Sequence, residues 1–321
     1  MTVLSVENLS TYFKTDKGIA KAVENVSFTV EEGEMLGLIG ESGCGKTTVA
    51  QSILRLIEYP GKVVSGSAKL NGIDLLKATE SELYKLRWKE ISVIPQSAMN
   101  ALNPIYTVGD QIIEAIMLHE DIKKSEAILR AKKMLELVGI DGDRWKSYPH
   151  EFSGGMKQRV AIAMALSCNP KLVISDESTT GLDVLTQAQV IALIKDLQKK
   201  MNTSVIIISH DLPMVTAICD KIAIMYAGNI VEWATTEEII KNPKHPYSQA
   251  LLKATPDLAE PDREVVSIPG SVPDLVNFPK SCRFHTRCPH AFVRCLQESP
   301  DLVEVKPGHF SACFLEGEEN E

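Results

Sequence analysis

The residues with the plainest chemical consequence are 40–48, which read GESGCGKTT. Gly40, Gly43 and Gly45 let backbone N–H groups turn inward and cradle phosphate oxygens, with Ser42, Cys44 and Thr48 on the same loop. A helix that starts at once adds the positive end of its dipole. Lys46 is placed to reach the outer phosphates of a nucleotide, and the Thr47 hydroxyl to ligate Mg²⁺. The apolar run 35–39 before the loop and the helix-like stretch 49–57 after it supply the strand–loop–helix setting that this chemistry needs.

A second group of residues suits the other side of a phosphate. The run LVISDE at 172–177 is an apolar strand that ends in two carboxylates. Asp176 can hold Mg²⁺ through a water, and Glu177 can polarise a water aimed at the terminal phosphate. Gln96 ends a strand-like stretch and offers an amide to the metal and the attacking water. His210 follows the strand 205–209 and offers a hydrogen bond near the terminal phosphate. In FSGGMKQR, 152–159, Ser153 is a good helix N-cap, and Gly154 and Gly155 permit close backbone approach to an anion.

These residues must be positioned by an α/β framework. Strands are expected at 26–30, 35–39, 63–70, 172–174, 204–209, 222–226 and 230–233. Helices are expected at 81–87, 108–119, 123–138 and 185–199, and residues 98–165 read as a mainly helical insertion. Beyond about residue 240 the periodic signal fades into Pro- and Gly-rich stretches at 242–246 and 268–273. The expected domains are therefore 1–240 and an irregular C-terminal extension, 241–321.

Composition narrows the partners. The chain has 321 residues, 44% of them hydrophobic, and a net charge of −8, which disfavours nucleic acid as the main partner. No run approaches the roughly 20 apolar residues of a membrane helix. The N-terminus has no basic region ahead of an apolar core, so a cytoplasmic protein is expected.

Four of the seven cysteines, Cys282, Cys288, Cys295 and Cys313, are separated by five, six and seventeen residues. The C-x2-C pairs of zinc ribbons are absent. Wider spacing suits a [4Fe–4S] cube with one thiolate per iron, and zinc or free thiols are the alternatives. Lys280, Arg283, Arg287 and Arg294 would offset the negative charge of a thiolate-bound cluster. The segment shows little apolar core of its own, so a bound metal would hold it together. Cys44 reads as a site where alkylation would block the phosphate loop, and Cys168 and Cys219 as buried apolar residues.

Taken in order, the phosphate loop, Gln96, the Ser153-Gly154-Gly155 loop, Asp176-Glu177, Asp183 and His210 resemble the motif series of ATP-binding cassette (ABC) proteins over residues 1–240. The resemblance implies a P-loop NTPase core with a β-rich N-terminal subdomain and an inserted helical subdomain. It also implies head-to-tail pairing, in which Ser153, Gly154 and Gly155 serve the partner's ATP and Asp183 makes dimer contacts. Phe13 is expected to stack on adenine, with Tyr12 as the fallback. Ser178 stands where the family usually has proline, and Met156 where glutamine is commoner.

The short interval between the phosphate loop and Ser153 favours a transporter subunit over chromosome-maintenance relatives. The stretches 99–104, 245–252, 268–273 and 282–289 resemble the dipeptide/oligopeptide/nickel importer group, and 59–66 its "D" subunit. Members of that group carry an iron–sulfur cluster at such cysteines. The resemblance implies Mg-dependent ATP hydrolysis at the cytoplasmic face of a membrane. Its implied partners are a second ATPase subunit, two membrane permeases and an external binding protein. A scaffold ATPase in iron–sulfur assembly is the alternative.

Overall fold

The computed structural model describes residues 1–96, 101–255, 267–276 and 281–316. In chain order the elements begin with β1 (Thr2–Thr15), β2 (Gly18–Glu31), β3 (Met35–Ile39), α1 (Lys46–Ile53), β4 (Gly61–Leu70), β5 (Ile73–Asp74) and α2 (Glu80–Leu86). They continue with β6 (Ile91–Ile94), α3 (Val108–His119), α4 (Lys124–Leu137), α5 (Gly154–Leu166), β7 (Leu172–Asp176), α6 (Val184–Met201), β8 (Ser204–Ser209), α7 (Leu212–Ile218) and β9 (Lys221–Tyr226). The chain closes through β10 (Asn229–Thr235), α8 (Thr236–Lys241), α9 (Pro246–Lys253), α10 (Val293–Gln297), β11 (Val303–Lys306) and β12 (His309–Ser311). The fold is α/β, as expected, and it divides into two compact units.

One unit comprises residues 1–4, 30–35 and 70–208. Its strands β6, β7 and β8 run parallel, with Ile91 opposite Leu172 and Leu172 opposite Ser204. Every residue of β7 and β8 is buried, which is why the stretches 172–174 and 205–208 read as apolar runs rather than alternating ones. The helical insertion follows from amphipathic spacing. On α4, Ala127, Ala131, Met134 and Leu135 are buried, one helical face at intervals of three and four. Thr107 caps α3 by accepting from the Asp110 N–H at 3.1 Å. Gln111 of α3 ties down the preceding loop, accepting from Asn103 N–H at 2.8 Å and donating to its carbonyl at 3.1 Å.

The other unit comprises residues 5–29, 36–69 and 209–321. Strands β2, β1 and β4 lie side by side in that order. In a second sheet β3 and β9 pair in parallel, and β10 then pairs antiparallel with β9 and β12 with β10. The hairpin β11–β12 therefore extends a sheet that begins beside the phosphate loop, with Glu232 opposite Ser311. Residues 303–311 of the C-terminal extension are thus more regular than their sequence suggests. A three-residue strand has too little alternation to be read, and it forms because β10 offers it a free edge. The extension also has an apolar core. Phe284 is 1% exposed and stands edge-on to Tyr226 and Tyr247, with ring centroids 5.2 and 5.4 Å away. Met99, Asn100 and Lys280 lie outside the described residues.

Candidate functional site

The loop 40–45 connects the wholly buried β3 to α1. Gly45 caps α1 at φ +109°, and a Cβ there would come within 2.3 Å of the Ala22 carbonyl, so only glycine fits. Lys46 is 4% exposed and donates to the carbonyls of Gly40 at 2.8 Å and Glu41 at 3.1 Å, which holds its ammonium over the loop. Cys44 is completely buried, and burial pushes its thiol above the usual range. Alkylation there, which would block the loop, is therefore disfavoured, because a reactive thiol needs exposure and a low pKa.

On β1, Thr11 shares a 2.7 Å hydrogen bond with Ser52 of α1. Side chains alternate along a strand, so Phe13 lies on the same face of β1 as Thr11 and Tyr12 on the opposite one. Tyr12 is engaged there: its hydroxyl donates to Glu24 at 3.0 Å, and Lys21 lies 5.5 Å over its ring. His210 occupies the turn between β8 and α7, whose helix is capped by Asp211.

The remaining motif residues stand in the unit that holds β7. Asp176 ends that strand, 7% exposed. Glu177 follows at φ 42°, its N–H donating to the Ile208 carbonyl at 2.9 Å. The Gln96 amide donates to the Glu177 carboxylate at 2.9 Å, so two residues singled out separately are brought together. Ser178, where the family usually has proline, shares a 2.6 Å hydrogen bond with Ser175; the pair satisfies both buried hydroxyls.

Ser153 caps α5 by accepting from Met156 N–H. A Cβ on Gly155 would come 2.7 Å from Thr186 of α6, so the glycine permits that approach. Thr186 also donates from its N–H and hydroxyl to Asp183, at 3.0 and 2.6 Å, and these bonds hold the Asp183 carboxyl below its usual range.

The four late cysteines line one small cavity together with His245, Phe284, His285 and His290. Burial raises the thiols of Cys282 and Cys288, and pushes Cys313 up to about 12. Among the described residues no group of three or more His, Cys, Asp or Glu is arranged to hold a metal ion, so neither the expected cluster nor zinc finds support there. The arginines expected to offset a cluster's charge are already committed: Arg283 pairs with Glu24, Arg287 with Glu41 and Arg294 with Glu298.

Sequence reasoning missed one feature of the phosphate loop. Glu41 is bound by Arg287 and Tyr247, both from the C-terminal segment. The available signal was the carboxylate itself, since an acid within an anion-binding loop calls for a cation.

Residues 23–180 match the family described as "ABC transporter", and residues 231–295 match "Oligopeptide/dipeptide transporter, C-terminal region". The chain is 45% identical to the "Oligopeptide transport ATP-binding protein OppD" of Escherichia coli (strain K12), over 99% of this chain and 94% of that protein. It is 45% identical to the "Oligopeptide transport ATP-binding protein AppD" of Bacillus subtilis (strain 168), over 99% and 98%. To the E. coli "Dipeptide transport ATP-binding protein DppD" it is 44% identical, over 98% and 96%. A solved ATP-binding cassette, a dimer in a post-hydrolysis state bound to ADP and Pi, superposes with a TM-score of 0.65 at 26% identity, covering 73% of this chain and 98% of that one. The alternative of a scaffold in iron–sulfur assembly finds no support in these relatives. Among the described residues no helix is long and apolar enough to cross a membrane. The chain belongs to the ATP-binding subunits of the ABC transporter family, in the group marked by the oligopeptide/dipeptide C-terminal region.

Proposed function

We propose that this chain hydrolyses ATP to drive uptake of di- or oligopeptides through separate permease subunits. The observation that carries the reading is full-length similarity at about 45% identity to peptide-transport ATP-binding proteins, which extends through the C-terminal region. The match to the ABC transporter family supports the hydrolytic part. Lys46, Thr47 and the N-terminus of α1 would bind the outer phosphates, and Thr47, Gln96 and Asp176 would be the residues that hold Mg²⁺. Glu177, oriented by Gln96, directs a water at the terminal phosphate, and His210 hydrogen-bonds near it. Phe13 stacks on adenine, a choice favoured over Tyr12 because Tyr12 is tied to Glu24.

Ser153, Gly154 and Gly155 serve the ATP of a second cassette, and Asp183 lies at the contact between cassettes. Hydrolysis therefore needs a pair, a heterodimer in the assembled transporter, seated on two permeases at the cytoplasmic face of the membrane and fed by an external binding protein. The functional division remains a cassette over 1–240 and an importer-specific segment over 241–321. The test is reconstitution of the complex in vesicles with ATP inside. Labelled di- or oligopeptide must accumulate only with hydrolysable nucleotide, and accumulation of nickel alone would reassign the substrate.

A second reading concerns the cysteine cavity. Cys282, Cys288, Cys295 and Cys313 line one cavity, and four thiols are the number that a [4Fe–4S] cluster takes. Cys282, Cys288, Cys295 and Cys313 would hold it, and its contribution would be to cross-link the segment. The aromatic core around Phe284 shows that it is not the only thing holding the segment together.

A further inference from the structure

We propose that Arg287 and Tyr247 are positioning residues for the phosphate loop, acting through Glu41, so that the C-terminal segment sets how tightly the loop holds nucleotide. This rests on the reading that residues 40–48 bind ATP.

Glu41 is the second residue of the loop, and its polar groups are all engaged. Its carbonyl accepts from Cys44 N–H at 3.2 Å and from Lys46 Nζ at 3.1 Å. Its N–H donates to the Tyr247 hydroxyl at 3.1 Å. Its carboxylate takes a two-pronged guanidinium, Arg287 Nη1 to Oε2 at 2.7 Å and Nη2 to Oε1 at 2.9 Å. This fork matches the planar geometry of both groups and fixes the carboxylate in orientation as well as charge.

Arg287 is itself immobilised. Its side chain is 3% exposed, and its remaining donors reach Pro269 O from Nε at 2.8 Å, Ile268 O from Nη2 at 3.3 Å and the Tyr226 hydroxyl from Nη1 at 3.3 Å. Five N–H groups thus meet five acceptors, the full capacity of a guanidinium. Tyr247 is fully buried, its ring 4.7 Å from Tyr226 and 5.4 Å from Phe284. Both clamps are therefore rigid.

The electrostatic consequence is direct. A carboxylate on a loop that receives polyphosphate repels its ligand unless a cation compensates it. Arg287 supplies that cation from 246 residues away and leaves Lys46 free of the duty. The clamp also restrains the loop backbone, whose N–H groups must converge on phosphate before ligand arrives.

The test measures MgATP binding by calorimetry and steady-state hydrolysis on the full-length chain, with thermal unfolding to confirm that each variant folds. Arg287→Ala is expected to bind MgATP on the order of ten to a hundred times more weakly. Its KM should rise while turnover at saturating nucleotide largely holds. Adding Glu41→Gln to Arg287→Ala should recover most of the lost affinity, because the uncompensated charge is gone. Tyr247→Phe keeps the ring and removes only the acceptor for the Glu41 N–H, and should weaken binding several-fold. Wild-type affinity in both Arg287→Ala and Tyr247→Phe would overturn the proposal, as would a loss in Arg287→Ala that Glu41→Gln leaves unrelieved, the signature of a merely structural arginine. If Arg287→Ala fails to fold, Tyr247→Phe decides alone, and unchanged affinity there sinks the idea. In all these outcomes the wild-type chain binds MgATP. Failure of the wild type to bind overturns the nucleotide-site reading itself.

Discussion

The Gln96 amide meets the Glu177 carboxylate at 2.9 Å across 81 residues of sequence. Glu177 sits at φ 42°, a backbone setting that non-glycine residues adopt only where the surroundings impose it, as the bond from its N–H to Ile208 does here. The pair is expected to act as base and orienting group. Glu177→Gln should lower turnover by about 10²-fold or more while sparing MgATP affinity. Gln96→Ala should slow hydrolysis less severely, with KM nearly unchanged. Full steady-state hydrolysis by Glu177→Gln would remove that residue from the chemistry.

Ser153 at the cap of α5 and Lys46 at the start of α1 are expected to serve different nucleotides. Specific activity of the isolated chain should therefore rise with protein concentration. Lys46→Ala and Ser153→Arg should each be inactive alone, and mixing them should restore hydrolysis, because one of the two composite sites in a mixed pair is intact. No recovery at any ratio argues against head-to-tail pairing.

Cys44 lies within the loop yet is fully buried, with a thiol raised by desolvation. Native protein should lose MgATP binding to iodoacetamide very slowly, and Cys44 should label readily only after denaturation. Mass spectrometry of the native, treated chain checks this. Rapid labelling at Cys44 would show that the loop opens.

Phe284 is 1% exposed among Tyr226, Tyr247 and His245. Phe284→Ala should cost about 3–5 kcal/mol in denaturant unfolding, the range for emptying a buried aromatic site. A loss below about 1 kcal/mol would mean that the segment is held by something other than its aromatic core.

Protein purified without oxygen should carry about four irons and four sulfides per chain and absorb visibly if the cysteine cavity holds a cluster. Serine at Cys282 and Cys313 together should abolish both. Metal-free protein that folds and hydrolyses ATP normally would leave the four residues as plain thiols.

Much of the site is legible in sequence because its signals are local. A phosphate loop needs glycines and a lysine within a few residues, and α3 at 108–119 and β8 at 204–209 occur where apolar spacing and length place them. The C-terminal hairpin escaped because its strands are too short to alternate and acquire their pairing from β10. The committed arginines escaped for a different reason: cations near cysteines in sequence suggest a role toward the cysteines, whereas folding turned Arg283 and Arg287 toward Glu24 and Glu41.

The linear chain by itself determined many of the cassette's elements, the order of the motifs and the class of chemistry, since each depends on residues adjacent in sequence. The tertiary structure alone decided that Gln96 orients Glu177, that four thiols share one cavity and that the C-terminal segment grips the phosphate loop. Those are long-range contacts, specified by burial, charge pairing and hydrogen-bond satisfaction in three dimensions, and no local periodicity encodes them.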